Sequence, residues 1–358
     1  MKFEPNEEEL AKRIEHYGPS DLNSPKLMVP GSDWNSQQLV AFRASLLDDL
    51  PLDRLFPSEY MPEDHPVSNT LLPKIREPSE DDLKEFLSKR GDYIGNPFGT
   101  FFIRLQSAIT TGVAYIPGTT GHARNPSSTS DLSSSSNEDK DEEPSKQMLS
   151  ILLDTILFYP QMSDVRYGNQ KYLLAVETQQ RSMEISFGSG SKVTAKNDGG
   201  LYLTYKDLYT GSVKHGIVPL ISFEAKRRHA HHHRAAGEEE KYSEALLGQE
   251  LAELLGHAMA NVNELVQPTD QEALLLTIHG THLKLVVARF TTAYLTYVKS
   301  HSIPESERLW IRRSSPFQLK DREGREGALR MIIGILEYIK SGTSEIGLMQ
   351  AAFSYSGQ

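Results

Sequence analysis

The sequence predicts an α/β protein in which helices cover the faces of a mixed central sheet. Three observations support this fold class. Strand-like segments recur between residues 171 and 226, a long helix with one apolar face follows over 239–262, and two more apolar segments then meet at Gly280-Thr281. Strands interrupted by long helices of this kind are typical of a sheet covered on its faces.

The composition favours a soluble protein. Of its 358 residues, 24 % are charged and 38 % hydrophobic, and the length fits two domains or one large domain with extensions. No stretch approaches the ~20 consecutive apolar residues of a membrane span, so we expect no membrane partner. The N-terminus is acidic and lacks the apolar core of a secretory signal.

Cysteine is absent, which excludes disulfides and thiolate metal sites and fits a reducing compartment. We therefore expect an intracellular protein, cytoplasmic or nuclear. The formal net charge of -10 argues against a general nucleic-acid coat protein, so any nucleic-acid contact would need a local basic patch.

Residues 1–97 predict an N-terminal extension of helices and loops. One helix is expected from Ser36, a plausible N-cap, to Pro51, because the apolar residues recur at helical spacing: Leu39, Phe42, Leu46, Leu47 and Leu50. A second helix is expected from Ser79, with Asp82 three residues later as in a capping box, to Gly91.

The main domain is expected over residues 98–345, followed by a tail at 346–358. Residues 117–147 are rich in serine and acids and have almost nothing to bury, so we expect a disordered insertion there. An apolar helix is expected from Met148. After it, strands are expected at 171–180, 181–190 and 192–206, and the last of these contains Asn197-Asp198-Gly199-Gly200, typical of a hairpin turn. A final amphipathic helix carries Leu329, Ile332, Ile333, Leu336 and Ile339.

The segment 218–228, VPLISFEAKRR, begins as a buried strand and changes abruptly to charge. Side chains alternate across a strand, so Glu224 and Lys226 share one face. A buried acid and ammonium must be paired with each other, bound to a metal or functional, because burial of either one alone is costly. The alternative is a strand end that emerges into a basic loop.

The order helix, three strands, helix, strand, together with these residues, resembles the PD-(D/E)XK nuclease superfamily and its restriction-endonuclease-like core. That family places an Asp in its second core strand and Glu-x-Lys in the third, and this chain has Asp198 and then Glu224-Ala225-Lys226. The segments DGGLYL, PLISFEAKRR, GQELAELLGHAM and HGTHLKLVVARFT look like a fungal branch of the superfamily. The resemblance covers less than a third of the chain.

The resemblance implies a Mg²⁺ or Mn²⁺ ion held by Asp198 and Glu224, with Lys226 next to the developing negative charge. Carboxylates are the ligands that Mg²⁺ prefers, and a bound divalent ion polarises phosphate and acidifies water. Asp198 could instead be a turn residue, in which case Asp207 is the nearest substitute.

Members of the family carry a Gln on the following helix, sometimes as Gln-x-x-x-Tyr. Gln249 lies at that position, but Glu253 stands where the Tyr would be. Gln249 is therefore either a catalytic residue or a helix-surface residue. In some members an acid on the first helix also contributes, and Asp154 would correspond to it.

A dense basic tract follows the motif, and its residues Arg227, Arg228 and Arg234 could contact the phosphates of DNA or RNA. Three hypotheses remain open at this point. The first is a metal-dependent nuclease, the second a catalytically inactive nuclease fold that binds nucleic acid or protein, and the third an interaction protein tuned by phosphorylation of its Ser-rich tract.

Overall fold

A mixed sheet of ten strands is the central feature of the computed structural model, which describes residues 21–61, 65–111, 135–167, 170–206, 213–215, 218–226, 243–263, 265 and 269–355. The strand order is β1-β11-β10-β9-β8-β6-β3-β2, with β12 paired to β10 and β7 paired to β6. These strands are β1 (Ala44–Leu50), β2 (Asp164–Tyr167), β3 (Gln170–Glu177), β6 (Gly199–Lys206), β7 (Val213–His215), β8 (Ile221–Lys226), β9 (Gln271–His279), β10 (His282–Phe290), β11 (Leu309–Ser314) and β12 (Phe317–Gln318). A separate two-stranded sheet consists of β4 (Arg181–Phe187) and β5 (Ser191–Asn197).

Helices cover both faces of the central sheet. The helices of the described residues are α1 (Ser36–Ala41), α2 (Pro66–Arg76), α3 (Glu80–Lys84), α4 (Phe86–Lys89), α5 (Gly99–Thr111), α6 (Ser135–Leu157), α7 (Pro160–Ser163), α8 (Glu244–Asn263), α9 (Thr292–Val298), α10 (Arg322–Ser341) and α11 (Gly347–Tyr355). None of them combines the length and the apolar character needed to cross a membrane. The predicted α/β class with a mixed, helix-flanked sheet is confirmed.

Two apolar cores lie on opposite faces of the sheet. The first face, which carries Phe223 and Leu276, packs against α2, α5, α6 and α10. The second face, which carries Leu275 and Val286, packs against α1, α8, α9 and the β4–β5 pair. All nine residues of β9 are buried, because this strand lies in the middle of the sheet and is covered on both faces.

The pairing directions fix where the crossover helix runs. β3 pairs antiparallel with β6 and β6 antiparallel with β8, whereas β8 pairs parallel with β9. A parallel pair cannot be closed by a tight turn, so the chain crosses the second face through α8 before it enters β9. In chain order this part of the molecule runs α6, α7, β2, β3, β4, β5, β6, β7, β8, α8 and β9.

The predicted helix from Ser36 to Pro51 is wrong beyond Ala41. Asn35 caps α1 through a capping box, the helix ends at Phe42, and Arg43 has a φ of 48°. The next residues form β1, which pairs parallel with β11 at the edge of the sheet. Short apolar runs satisfy helix and strand periodicities equally well, and the open edge of β11 decides the outcome here.

The predicted hairpin at 197–200 is also wrong. β5 pairs with β4 through a turn at Gly188 and Gly190, while β6 pairs with β3 and β8. Asn197 and Gly199 therefore mark the passage from the two-stranded sheet into the central sheet. The Ser79 capping box with Asp82 and the β9–β10 hairpin at Gly280 are confirmed. Most of the tract 117–147 lies outside the described residues, and α6 begins at Ser135.

Helix α8 buries a histidine together with its apolar face. The sequence predicts that this helix turns six residues inward, and five of them are buried: Leu247, Leu251, Leu254, Leu255 and Ala258. The sixth, Val262, is half-buried. His257 is fully buried as well, and burial lowers its pKa from 6.5 to about 4. At neutral pH the native protein therefore holds a neutral imidazole at this position.

Replacement of Gly199 by Ala should destabilise the fold. Gly199 has a φ of 141°, and a Cβ there would lie 2.3 Å from the Glu177 carbonyl oxygen. We expect Gly199→Ala to lower the free energy of unfolding by at least ~2 kcal/mol in urea titrations. Gly91→Ala is the control, because nothing lies within 4 Å of its Cβ position. Equal stability of the two variants would contradict the strain argument.

Acid should weaken the protein through His257. The pKa of His257 is lower in the native protein than in the unfolded chain. Between pH 6.5 and 4 the imidazole is therefore protonated in the unfolded chain but neutral in the native protein. Stability should therefore fall as the pH drops through this window, by at most about 3 kcal/mol from this group. Urea unfolding at pH 7, 6 and 5 measures this loss. His257→Gln should show a shallower decline, and the exposed control His301→Gln should keep the native one. Parallel curves for native protein and His257→Gln would refute the assignment.

Candidate active site

Asp198 and Glu224, the two predicted carboxylate ligands, lie where β6 begins its pairing with β8. Asp198 occupies the bend between β5 and β6 and belongs to neither strand, whereas Glu224 lies within β8. The Asp198 N–H donates to the Phe223 carbonyl oxygen at 2.9 Å, and Gly199, the first residue of β6, pairs with Phe223. Asp198 is thus held against the backbone of β8 at the residue before Glu224.

The Asp198 carboxylate is held by two hydrogen bonds. Its Oδ2 accepts from the Ala225 backbone N–H at 2.9 Å, and its Oδ1 accepts from the Gln180 amide at 3.1 Å. The side chain is 9 % exposed, so the carboxylate is desolvated but not sealed from solvent. Each carboxylate oxygen has two lone pairs, so these two bonds fix the orientation of the group and leave acceptor capacity on both oxygens.

Glu224 lies on β8 and is 5 % exposed. In the sheet it is the partner of Thr277 on β9, and Ser222 lies two residues earlier on the same face. The buried Thr277 hydroxyl has no hydrogen-bond partner within the described part of the chain. Glu224, Thr277 and Lys284 occupy one row across β8, β9 and β10, because Lys284 pairs with Thr277.

The other predicted site residues differ in how far the structure describes them. Lys226 ends β8, and its backbone pairs with His279 of β9, but its side chain lies outside the described residues. Arg227, Arg228 and Arg234 also lie outside the described residues. Asp154 lies on α6, and desolvation by the surrounding protein raises the pKa of its carboxyl.

Gln249 is engaged with a segment close to α1. Its amide donates to the Ser32 backbone oxygen at 2.6 Å. The structure therefore binds Asp198 to the β8 residues on either side of Glu224, Phe223 and Ala225, and gives Gln249 a separate contact. The polar residues of α8 that lie on the buried face are different ones: Glu250, Glu253, His257 and Asn261.

These buried polar residues of α8 extend the candidate site along the second face. Arg313 of β11 and Glu250 are both fully buried, with 3.3 Å between Nη2 and Oε2, and Asp48 lies 3.6 Å from Arg313 Nη1. Burial lowers the pKa of the half-buried Lys284, and the charge of Arg313 lowers it further. Removal of one partner from such a pair is expected to be strongly destabilising, because the other charge stays buried.

Our sequence reasoning missed this polar belt, although a signal for it was present. Glu250, Glu253, His257 and Asn261 recur at spacings of three and four in a helix that otherwise has a leucine-rich face. Polar residues at core spacing on an apolar helix indicate a buried polar layer.

The two carboxylates fit the ligand class of a divalent ion. Within the described residues, no group of three or more His, Cys, Asp or Glu side chains is placed to hold a metal. Mg²⁺ needs fewer protein ligands, since one or two carboxylates with water and phosphate complete its coordination. Asp198, which keeps acceptor capacity on both oxygens, and Glu224 of β8 belong to this ligand class.

Comparison with known proteins gives no family assignment: neither the protein-family models nor the curated proteins include a match to this chain.

Proposed function

We propose that this protein is a metal-dependent nuclease that hydrolyses phosphodiester bonds in nucleic acid. The observation that supports the proposal is the hydrogen bond from the Ala225 N–H to the Asp198 carboxylate, made where β6 begins its pairing with β8. Ala225 is the middle residue of Glu224-Ala225-Lys226, so Asp198 is anchored to the motif itself.

The order of elements supports membership in the PD-(D/E)XK superfamily. With α7, β2 and β7 taken as additions, the elements α6, β3, β6, β8, α8 and β9 have the helix, three strands, helix, strand order of that family. Asp198 precedes the second of these strands and Glu-x-Lys ends the third. In this proposal the β4–β5 pair is an insertion into a restriction-endonuclease-like core.

Asp198 and Glu224 would hold Mg²⁺ or Mn²⁺. When bound, this ion would polarise the phosphate and lower the pKa of a water molecule. The hydrogen bonds from Ala225 and Gln180 fix the Asp198 carboxylate before an ion arrives, so less ordering entropy is lost on binding. We assign Lys226 to stabilisation of the negative charge that develops on the phosphate.

A catalytically inactive nuclease fold that binds nucleic acid or protein is the second candidate. One observation favours it: the amide of Gln249, the residue at the position of the family's helical Gln, is bound to the Ser32 carbonyl. The net charge of -10 agrees with a protein that does not bind nucleic acid generally.

Glu224→Gln should separate the two candidates. In the native protein Mg²⁺ should raise the melting temperature. A ligand that binds only the native state and is present at a concentration 100 times its Kd adds about 2.7 kcal/mol to the free energy of unfolding. Glu224→Gln is nearly isosteric, so it should fold yet lose this rise and lose cleavage. Lys226→Ala should keep the rise and lose about 10²–10³-fold in rate. The measurements are thermal unfolding with Mg²⁺ or EDTA and cleavage of mixed DNA and RNA substrates.

Glu184→Gln is the matched control. Glu184 lies on β4, is 58 % exposed and pairs with Lys192, so its loss should leave the Mg²⁺ response and the cleavage rate unchanged. Native protein with neither a Mg²⁺-dependent rise nor cleavage would remove the enzyme from the proposal and leave the binding module. An Mg²⁺ response that survives Glu224→Gln would place the metal elsewhere.

A further inference from the structure

A buried hydroxyl lies in register with Glu224 and has no hydrogen-bond partner. This hydroxyl belongs to Thr277, which is 1 % exposed and whose Oγ1 makes no hydrogen bond within the described part of the chain. A buried polar group without a bond costs free energy, because it has lost its hydrogen bonds to water. Such a group in a native protein needs an explanation, and a ligand that it binds is one.

The two other buried threonines of the described residues are bound. The Thr204 hydroxyl donates to the Leu173 carbonyl oxygen at 3.0 Å, and the Thr281 hydroxyl donates to the Gln318 side-chain oxygen at 2.6 Å. Other buried hydroxyls without a partner occur in the described residues, but among them only Thr277 is in register with a predicted metal ligand. The position of Thr277 therefore sets it apart.

The side chains of Thr277 and Glu224 project from the same face of the sheet. The two residues are partners in the parallel pair of β8 with β9, and Leu275, two residues before Thr277, belongs to the core on the second face. Adjacent strands lie roughly 4.8 Å apart. An ion about 2.1 Å from a Glu224 oxygen, with a water about 2.1 Å further on, nearly spans this distance. A water on such an ion would therefore lie within reach of the Thr277 hydroxyl.

The neighbours of Thr277 in its row carry opposite charges. Glu224 is its partner on β8 and Lys284 its partner on β10. A hydroxyl both donates and accepts, so Thr277 could bind either of these groups, yet it binds neither. It can also accept a bond from a water molecule and, after rotation, donate one to the hydroxide that the water becomes. A water acidified by a divalent ion needs a neighbour of this kind.

We propose that Thr277 is a further residue of the candidate active site, whose hydroxyl binds the water that an ion at Asp198 and Glu224 would acidify. This inference rests on the proposed nuclease function, and it deepens that function by adding a third residue to the same ion site. The bond would fix the water relative to β9 and so set the direction from which it approaches the phosphate. The ion site would supply the partner that the protein does not provide.

The test is Thr277→Val, which removes the hydroxyl and keeps the branched shape of the side chain. In EDTA its urea midpoint should equal or exceed the native one, because a methyl replaces a buried group without a partner. The Mg²⁺ concentration at half of the maximal rise in melting temperature should increase about 10–100-fold, and the rate of cleavage should fall by a similar factor. Thr277→Ser restores the hydroxyl and should return both values toward the native ones.

Thr204→Val is the matched control. Thr204 is a buried threonine of the same sheet whose hydroxyl is bound, so its loss should lower the urea midpoint and leave the Mg²⁺ response and cleavage unchanged.

Native Mg²⁺ affinity and native cleavage in Thr277→Val would overturn the inference, since the hydroxyl would then have no part in the ion site. A lower urea midpoint would overturn it as well, because the hydroxyl would then be bound within the protein. Equal losses in Thr277→Val and Thr277→Ser would assign the effect to packing and not to the hydroxyl. In each case a native Mg²⁺ response that depends on Glu224 leaves the nuclease proposal standing. Native protein with neither an Mg²⁺ response nor cleavage refutes both.

Discussion

The parallel pairing of β8 with β9 is the constraint on which the rest of this structure depends. Because a parallel pair needs a crossover, α8 must pass over the second face of the sheet, the face on which Glu224 lies. The crossover buries apolar residues such as Leu251 and Leu255 and encloses the charges beneath them. The buried pair Arg313–Glu250 and the low pKa of His257 both follow from this cover.

The bend at Asp198 adds the second element of the candidate site. Burial of a carboxylate is costly unless hydrogen bonds or a counter-ion compensate for it. The N–H of Ala225 and the amide of Gln180 offset part of this cost for Asp198, and a divalent cation would offset more. Gly199 makes the bend feasible, since its backbone has a φ of 141° and passes too close to Glu177 for any Cβ. The unusual backbone conformation of Gly199 and the charge of Asp198 thus occur at the place where we propose the chemistry.

The sequence predicted the elements whose signals are long or strongly periodic. The apolar face of α8, the nine buried residues of β9 and the turn at Gly280 all carry such signals.

Prediction from the sequence failed where the local preference of a segment competes with the strand partners that the fold offers it. The segment after Ala41 has apolar spacing that suits a helix, but the free edge of β11 converts it to β1. The tetrapeptide 197–200 has the composition of a turn, yet β5 pairs with β4, and β6 pairs with β3 and β8 in the central sheet. Asp198 and Glu224 of the candidate site are predicted by the motif. The spacing of Glu250 on α8 signals its burial, but its pairing with Arg313 joins distant segments and no local pattern encodes it.

The most direct test of the central claim is a crystal structure of the native protein with Mn²⁺, in which anomalous scattering locates the ion. The account predicts one peak about 2.1 Å from a carboxylate oxygen of Asp198 and from a carboxylate oxygen of Glu224. A peak bound to neither residue, or none at a Mn²⁺ concentration that raises the melting temperature, would contradict it.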